Sequence, residues 1–355
     1  MNAGMTIRRW SAAGRSEMKR GAEMSKYDVY GIGNALVDME YSLTPEDLQR
    51  LEVDKGVMTL VDVDHQSEMM VYLDEHHVHR SAGGSAANTV IALSQFGGRG
   101  FYTCKVADDE LGRLYADDLK ENGVETNAHE VVEPGYTGRC MVLVTPDADR
   151  TMCTYLGITG SLGKAELVPE AIRESEYLYL EGYLATSETA LEAVAEARGI
   201  ARDAGVRTAL SLSDPNIVSH FGDQLREMIG DGVDLLFANE DEAKELTGKD
   251  AIEDAIAALK SSAREFVVTR GPKGAIVFDG EREFSVDARR VDAIDTVGAG
   301  DMFAGAFLYG LTQGWNHERA ARFAVSASAD IITTYGPRLT RDRALGVRDA
   351  MAGAA

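Results

Sequence analysis

Short apolar runs alternate with helix-length segments along most of the chain, and this alternation restricts the fold more than any other feature. Residues 27–32 read as a buried first strand ending at Gly31 and Gly33. Thr44-Pro45-Glu46-Asp47 opens a helix, with Thr44 as cap and Pro45 at the first helical position. Residues 57–63 suit a strand, 76–80 look polar and exposed, and Ala82-Gly83-Gly84-Ser85 leads into a helix at 86–96. A strand at 101–106 and a helix at 110–122 follow. Strands at 177–180, 207–212, 235–238 and 266–269 are then separated by helices at 187–204, 225–229, 240–246 and 252–259. Residues 275–278 and 282–286 form a hairpin around Asp279-Gly280, before two long helices at 301–311 and 318–332. Repeated crossovers of this kind predict an α/β fold in three layers, a mostly parallel central sheet with helices on both faces.

The rhythm changes between about 125 and 158. Residues 137–145 and 151–156 are β-type runs separated by the turn signal Pro146-Asp147-Ala148-Asp149. With segments from about 36–80 they predict a small, discontinuous β lid on a main domain spanning 25–345. Residues 1–24 contain Arg8, Arg9, Arg15, Lys19 and Arg20 without an apolar stretch, so they read as a flexible tail and not a secretory signal. Residues 346–355 read as a C-terminal tail.

Charge narrows the function classes. Acidic residues outnumber basic ones 58 to 36, for a net charge of -22, a field that repels nucleic acid and anionic lipid. No run approaches a membrane span. Cys104, Cys140 and Cys153 lack the spacing of a disulfide framework or zinc site, which suits a reduced, cytoplasmic setting. The seven histidines, His65, His76, His77, His79, His129, His220 and His317, supply no metal-ligand spacing.

The chemistry concentrates in Asp295-Thr296-Val297-Gly298-Ala299-Gly300-Asp301, which bends at small residues and runs straight into an apolar helix. A helix start leaves amides unpaired and carries the positive end of the dipole, so it can hold phosphate. An aspartate in its first turn can then take a proton from an alcohol. Local sequence alone equally allows Asp301 to be a plain helix cap. Several polar or glycine-rich pieces fall at carboxyl ends of strands, where ligands of parallel sheets collect: Asn34 to Asp38, Gly182-Tyr183, Ser213 to Asn216, Asn239 to Glu242 and Thr269 to Gly274. Asn34, Asp38 and Asn88 can hydrogen-bond a polyol, and Gly83 and Gly84 let a ligand approach the backbone. Asn239 and Glu242 share one helix face, as an N-cap pair or as a holder of magnesium-bound water. Gly31-Ile32-Gly33 lacks the third glycine of a dinucleotide fingerprint, and Gly271-Pro272-Lys273-Gly274 lacks the ending of a Walker A loop.

The stretch 295–301 resembles the D-T-x-G-A-G-D signature of the ribokinase-like, or PfkB, family of carbohydrate and nucleoside kinases. Ala82-Gly83-Gly84-Ser85-Ala86-Ala87-Asn88-Thr89 resembles the family's N-terminal glycine motif, and Asn239 to Glu242 its N-x-x-E. The likeness runs from Tyr27 to about Leu339. Gly31 to Asp38, Tyr179-Leu180-Glu181-Gly182-Tyr183 and Leu210-Ser211-Leu212-Ser213 look most like the adenosine-kinase branch. Ala86-Ala87 and Asp214-Pro215-Asn216 depart from the eukaryotic adenosine kinases and loosen the choice between nucleoside and sugar.

The resemblance implies a catalytic base at Asp301 and an anion hole at Gly298, Ala299 and Gly300. It implies acceptor contacts at Asn34, Asp38, Gly83, Gly84 and Asn88, with Tyr183 and Leu36 as walls for a base. On the nucleotide side it implies Arg150, Asn239, Thr269, Gly271 and Gly274, with Glu242 meeting the metal through water. ATP and Mg²⁺ are the implied cofactors, with K⁺ as an activator, in a monomer or a homodimer joined through the lid. The implied reaction moves the γ-phosphoryl group of ATP to a primary hydroxyl, first the 5′-OH of adenosine. The alternatives are a ribokinase- or fructokinase-like sugar kinase, and a non-catalytic nucleotide- or sugar-binding regulator.

Overall fold

The computed structural model describes residues 25–53, 55, 58–73, 78–128, 133–146 and 150–352. The expected N-terminal tail, the Asp147–Asp149 turn, His76, His77 and His129 lie outside them. The strands are β1 (Tyr27–Ile32), β2 (Leu36–Ser42), β3 (Met58–Leu60), β4 (Val78–Gly83), β5 (Gly100–Thr103), β6 (Val124–Thr126) and β7 (Gly138–Val144). They continue with β8 (Arg150–Tyr155), β9 (Ser175–Glu181), β10 (Arg207–Ser211), β11 (Val233–Asn239), β12 (Ala263–Thr269), β13 (Ala275–Phe278) and β14 (Glu283–Val286).

Nine of them form one sheet in the order β14-β13-β12-β11-β10-β9-β1-β5-β6. Its pairs are parallel except β12–β13 and β13–β14, the hairpin at one edge. Side chains on successive strand residues point to opposite faces, and the core divides accordingly. Tyr177 and Tyr179 of β9 join one apolar cluster, with Phe237, Phe303 and Phe307, while Leu178 and Leu180 join a second, with Val194, Leu225 and Ile256. Helices Ser85–Gln95, Ala299–Thr312 and His317–Ile331 contribute to the first cluster, and Glu188–Ala204, Gly222–Ile229 and Ile252–Leu259 to the second. The expected three-layer α/β arrangement is therefore present.

The remaining five strands make a second sheet, ordered β3-β8-β7-β2-β4. Its strands come from 36–83 and 138–155. The strand at 124–126, at the start of the segment expected to change pattern, pairs in parallel with β5 in the large sheet and not in this one.

Other boundaries also differ from the sequence reading. Of the strand expected at 57–63, only Met58–Leu60 forms, and a helix Val63–Leu73 begins where it was expected to end. Val78–Gly83 is a strand paired with β2, an element the sequence reading did not place there, and its Arg80 is exposed as expected. Helix Ala299–Thr312 starts two residues before Asp301, because Gly298 makes the turn. The expected C-terminal tail from 346 belongs to helix Arg341–Ala352 as far as Ala352. No helix among the described residues is long and apolar enough to cross a membrane.

Candidate active site

The mouth of helix Ala299–Thr312 is the centre of the site. Gly298 caps it at φ 74°, and no side chain bonds its first amides. A Cβ at Gly298 would stand 2.6 Å from the Pro337 carbonyl oxygen, so conformation and space both require glycine. Asp295 pins the preceding turn: its Oδ1 accepts from the Val297 N–H (3.0 Å) and its Oδ2 from the Gly336 N–H (2.9 Å). The Ala299 N–H turns back to the Thr296 carbonyl (3.3 Å). The Gly300 and Asp301 amides stand where a helix supplies no partner, at the positive end of its dipole. A Cβ on Gly300 would meet nothing within 4 Å. Such an arrangement can hold an anion, through Gly300 and Asp301 more than through Ala299.

Asp301, in the first turn, is held from a helix more than two hundred positions earlier. Its Oδ1 accepts from the Ser85 hydroxyl (2.6 Å) and its Oδ2 from Asn88 Nδ2 (3.1 Å). Burial pushes its carboxyl up to about 6, against the pull of those two hydrogen bonds and of the Arg338 charge. A carboxylate so placed accepts a proton in the neutral range while its orientation is fixed.

Two cavities meet at this point. One, of about 470 Å³, is lined by Asn34, Leu36, Asp38, Gly84 and Tyr183, and also by Gly298 and Asp301. The other, of about 910 Å³, is lined by Gly271, Gly274, Arg289 and Arg290 among others. Thr269, Thr296, Ala299, Gly300 and Phe303 line both. Two ligands lying in these cavities would face each other across the free amides, the arrangement a group transfer needs.

The first cavity has a polar corner. Asp38 packs on Gly83, where a Cβ would come within 2.4 Å of the carboxylate, and burial pushes the Asp38 carboxyl up to about 7. Asp301 and Glu40 add to that rise, and Arg338 opposes it. Glu181 ties the corner together: its Oε1 accepts from the Asn34 N–H and its Oε2 from the Ala86 N–H, both at 2.7 Å. Burial raises it too, to about 7 despite these donors. Leu60, Cys140, Met152 and Leu156 make an apolar stretch of the lining, and Thr154, Ser211, Ser213 and Asp214 add further polar groups.

Asn239 and Glu242 form a complete capping box. Glu242 Oε2 accepts from the Asn239 N–H (2.8 Å), its Oε1 from Asn239 Nδ2 (2.7 Å), and Asn239 Oδ1 accepts from the Glu242 N–H (2.8 Å). The pair caps a helix and also lines the first cavity, and burial pushes Glu242 up to about 7.

The sequence-predicted residues thus converge, with exceptions. Gly83 and Asn88 are not among the lining residues: Gly83 makes room for Asp38, and the Asn88 amide is engaged by Asp301 and Arg338. Arg150 begins β8, and its side chain lies outside the described residues. Sequence reasoning missed Ser85, Glu181 and Arg338 as site residues. Ser85 and Glu181 stood inside stretches already singled out, whereas nothing local marked Arg338.

The pfkB family carbohydrate kinase profile matches residues 53–343. The chain belongs to the PfkB family. Like its relatives it is an ATP-dependent phosphotransferase acting on a small molecule. Among solved structures, this PfkB chain is similar to an adenosine kinase from Sinorhizobium meliloti, 33% identical, TM-score 0.82, covering 93% of this chain and 100% of that one. It is also similar to a probable sugar kinase protein from Rhizobium etli CFN 42, 31% identical, TM-score 0.84, covering 93% and 99%. Among curated proteins it is 31% identical over 239 residues to probable fructokinase-4 of Arabidopsis thaliana, covering 64% of this chain and 72% of that protein.

Proposed function

We propose that this PfkB kinase transfers the γ-phosphoryl group of ATP to the 5′-hydroxyl of a nucleoside, adenosine first. One observation carries the choice of acceptor. The cavity beside Asp301 joins polar groups at Asn34 and Asp38 to an apolar stretch from Leu36, Cys140, Met152, Leu156 and Tyr183, and apolar surface predominates in its lining although Ser211, Ser213 and Asp214 also reach it. A lone sugar is best held by hydrogen-bonding groups all round, whereas a nucleoside needs polar partners for its ribose and an apolar slot for its base. Similarity to the Sinorhizobium meliloti adenosine kinase supports the same choice.

In this reading the ribose hydroxyls bond Asn34 and Asp38, and the 5′-oxygen lies against Asp301. Asp301 accepts the hydroxyl proton as the bond to phosphorus forms, and the Gly300 and Asp301 amides meet the charge of the transferring oxygens. ATP occupies the second cavity, between the Thr269–Gly274 loop and residues 288–293. No group of three His, Cys, Asp or Glu side chains among the described residues could hold a metal. Magnesium that arrives on ATP phosphates needs only one or two carboxylates, often through water, and buried Glu242 with its fixed orientation fits that need. Mg²⁺ offsets the triphosphate charge when bound.

A sugar acceptor is the second reading, favoured by the fructokinase relatives. An ATP-consumption screen with product identification separates the two. Phosphorylation of adenosine but not of ribose, fructose or 2-keto-3-deoxygluconate is the expected result; the reverse pattern would overturn the nucleoside reading.

A further inference from the structure

Arg338 is a charged residue beside Asp301 that none of the sequence motifs contains. It follows Gly336-Pro337 on the segment between helices His317–Ile331 and Arg341–Ala352, and its side chain is 14% exposed. Its Nε–H donates to Asn88 Oδ1 (2.9 Å), and one terminal nitrogen donates to Asp118 Oδ2. Asp118 is itself steadied by Asn122, whose Nδ2 donates to its carbonyl (2.9 Å) and its Oδ1 (3.3 Å). The other terminal nitrogen of Arg338 is buried without a protein partner.

An asparagine amide can present either its oxygen or its nitrogen to a neighbour, but a guanidinium only donates. Committing Asn88 Oδ1 to Arg338 therefore leaves Nδ2 for Asp301, the only polarity that a carboxylate accepts. We propose that Arg338 is a positioning residue for phosphoryl transfer: anchored by Asp118, it locks the Asn88 amide so that Nδ2 donates to Asp301, and its charge favours the ionised carboxylate. This inference rests on the reading of Asp301 as the proton acceptor.

The charges around Asp301 explain why a cation is needed there. Asp38 on β2, Tyr179 and Glu181 on β9, Tyr183 just beyond it, and Glu242 on helix Glu240–Thr247 all interact with Asp301 electrostatically. Each of these is neutral or negative. Arg338 is the positive member of the set, and it lowers the pKa of both Asp301 and Asp38.

The test is the kcat–pH profile with ATP and the acceptor found in the screen, for folded Arg338→Met, Arg338→Lys, Asp118→Asn and Asp301→Asn enzymes. Arg338→Met should lower kcat roughly 10- to 100-fold, the scale of a misaligned catalytic group, and move the acid limb up by roughly one pH unit. Arg338→Lys keeps the charge, so its acid limb stays near the original while kcat falls, because lysine cannot supply the same fork to Asn88 and Asp118. Asp118→Asn removes the competing anion and should leave the acid limb in place or lower. An unmoved acid limb in Arg338→Met, or equal upward shifts in Arg338→Met and Asp118→Asn, would overturn the inference. If Arg338→Met does not fold, Arg338→Lys decides, since undiminished kcat there would show that the lock is unnecessary. Near-normal turnover in Asp301→Asn would instead defeat the base assignment itself.

Discussion

Removing the Ser85 hydroxyl should change the pH dependence of the enzyme more than its maximal rate. That hydroxyl donates to Asp301 Oδ1 at 2.6 Å and stabilises the ionised form, while burial pushes the carboxyl up to about 6. A hydrogen bond to a charged group contributes about 1.5–3 kcal/mol, and about 1.36 kcal/mol corresponds to one pKa unit. Water in the cavity would replace part of the lost bond, so Ser85→Ala should raise the Asp301 pKa by roughly one unit, to near 7. The base form is present above the pKa and lost as pH falls through it. Near pH 6 the ionised fraction then drops from about a half to about a tenth, a roughly fivefold loss of kcat, whereas above about pH 8.5 the two enzymes should nearly coincide. The assay is kcat against pH from about 5.5 to 9 with saturating ATP and acceptor. An acid limb at its original position in a folded Ser85→Ala enzyme would refute the reasoning. So would a loss of equal size at every pH.

Two further predictions concern the fold around the site. Asp38, Glu181 and Glu242 are each raised to about 7 and Asp301 to about 6, so between ordinary carboxylate pKa values and about 7 the folded chain holds protons that the unfolded chain has released. Their contribution to stability is full below the unfolded values and is lost as pH rises to about 7, so Tm should fall between about pH 4.5 and 7 and level off above that, and Asp38→Asn should flatten that slope. Calorimetry that finds the same slope in both proteins would contradict this. Gly298→Ala places a Cβ 2.6 Å from the Pro337 carbonyl oxygen at φ 74°, and should cost roughly 1–3 kcal/mol of stability and, by displacing the Gly300 and Asp301 amides, up to roughly 100-fold in turnover. Denaturant titration and steady-state kinetics check both parts; an unchanged kcat would remove the amide cradle from the chemistry.

The sequence was most informative where local rules and global placement coincide. The regular strand–helix rhythm after residue 177 announced a parallel sheet because each crossover requires one. Gly298 to Asp301 was legible as a helix mouth because small residues preceded an apolar run, although the turn at Gly298 starts the helix two residues early. The small sheet was harder to trace. Its strands join segments from 36–83 and 138–155, and β6, only three residues long, belongs to the large sheet, which periodicity cannot reveal. The site's supporting contacts were the least visible. Asn88 looked like a ligand contact because helical spacing put it one turn beyond Gly84, but its amide is engaged by Asp301 and by Arg338, 250 positions away. Glu181 sits at the end of a buried strand, and only tertiary structure brings the Asn34 and Ala86 amides to its carboxylate. Such pairs follow from how the layers pack, not from spacing along the chain.

The central claim is that the Asp301 carboxylate takes the proton of the acceptor hydroxyl where the two cavities meet. Its most direct test is turnover of Asp301→Asn at saturating ATP and acceptor, measured beside equilibrium binding of the nucleotide. The account predicts nucleotide affinity within about twofold of the unaltered enzyme and turnover lower by at least ~100-fold, the scale of a lost general base. Near-normal turnover in that variant would contradict it.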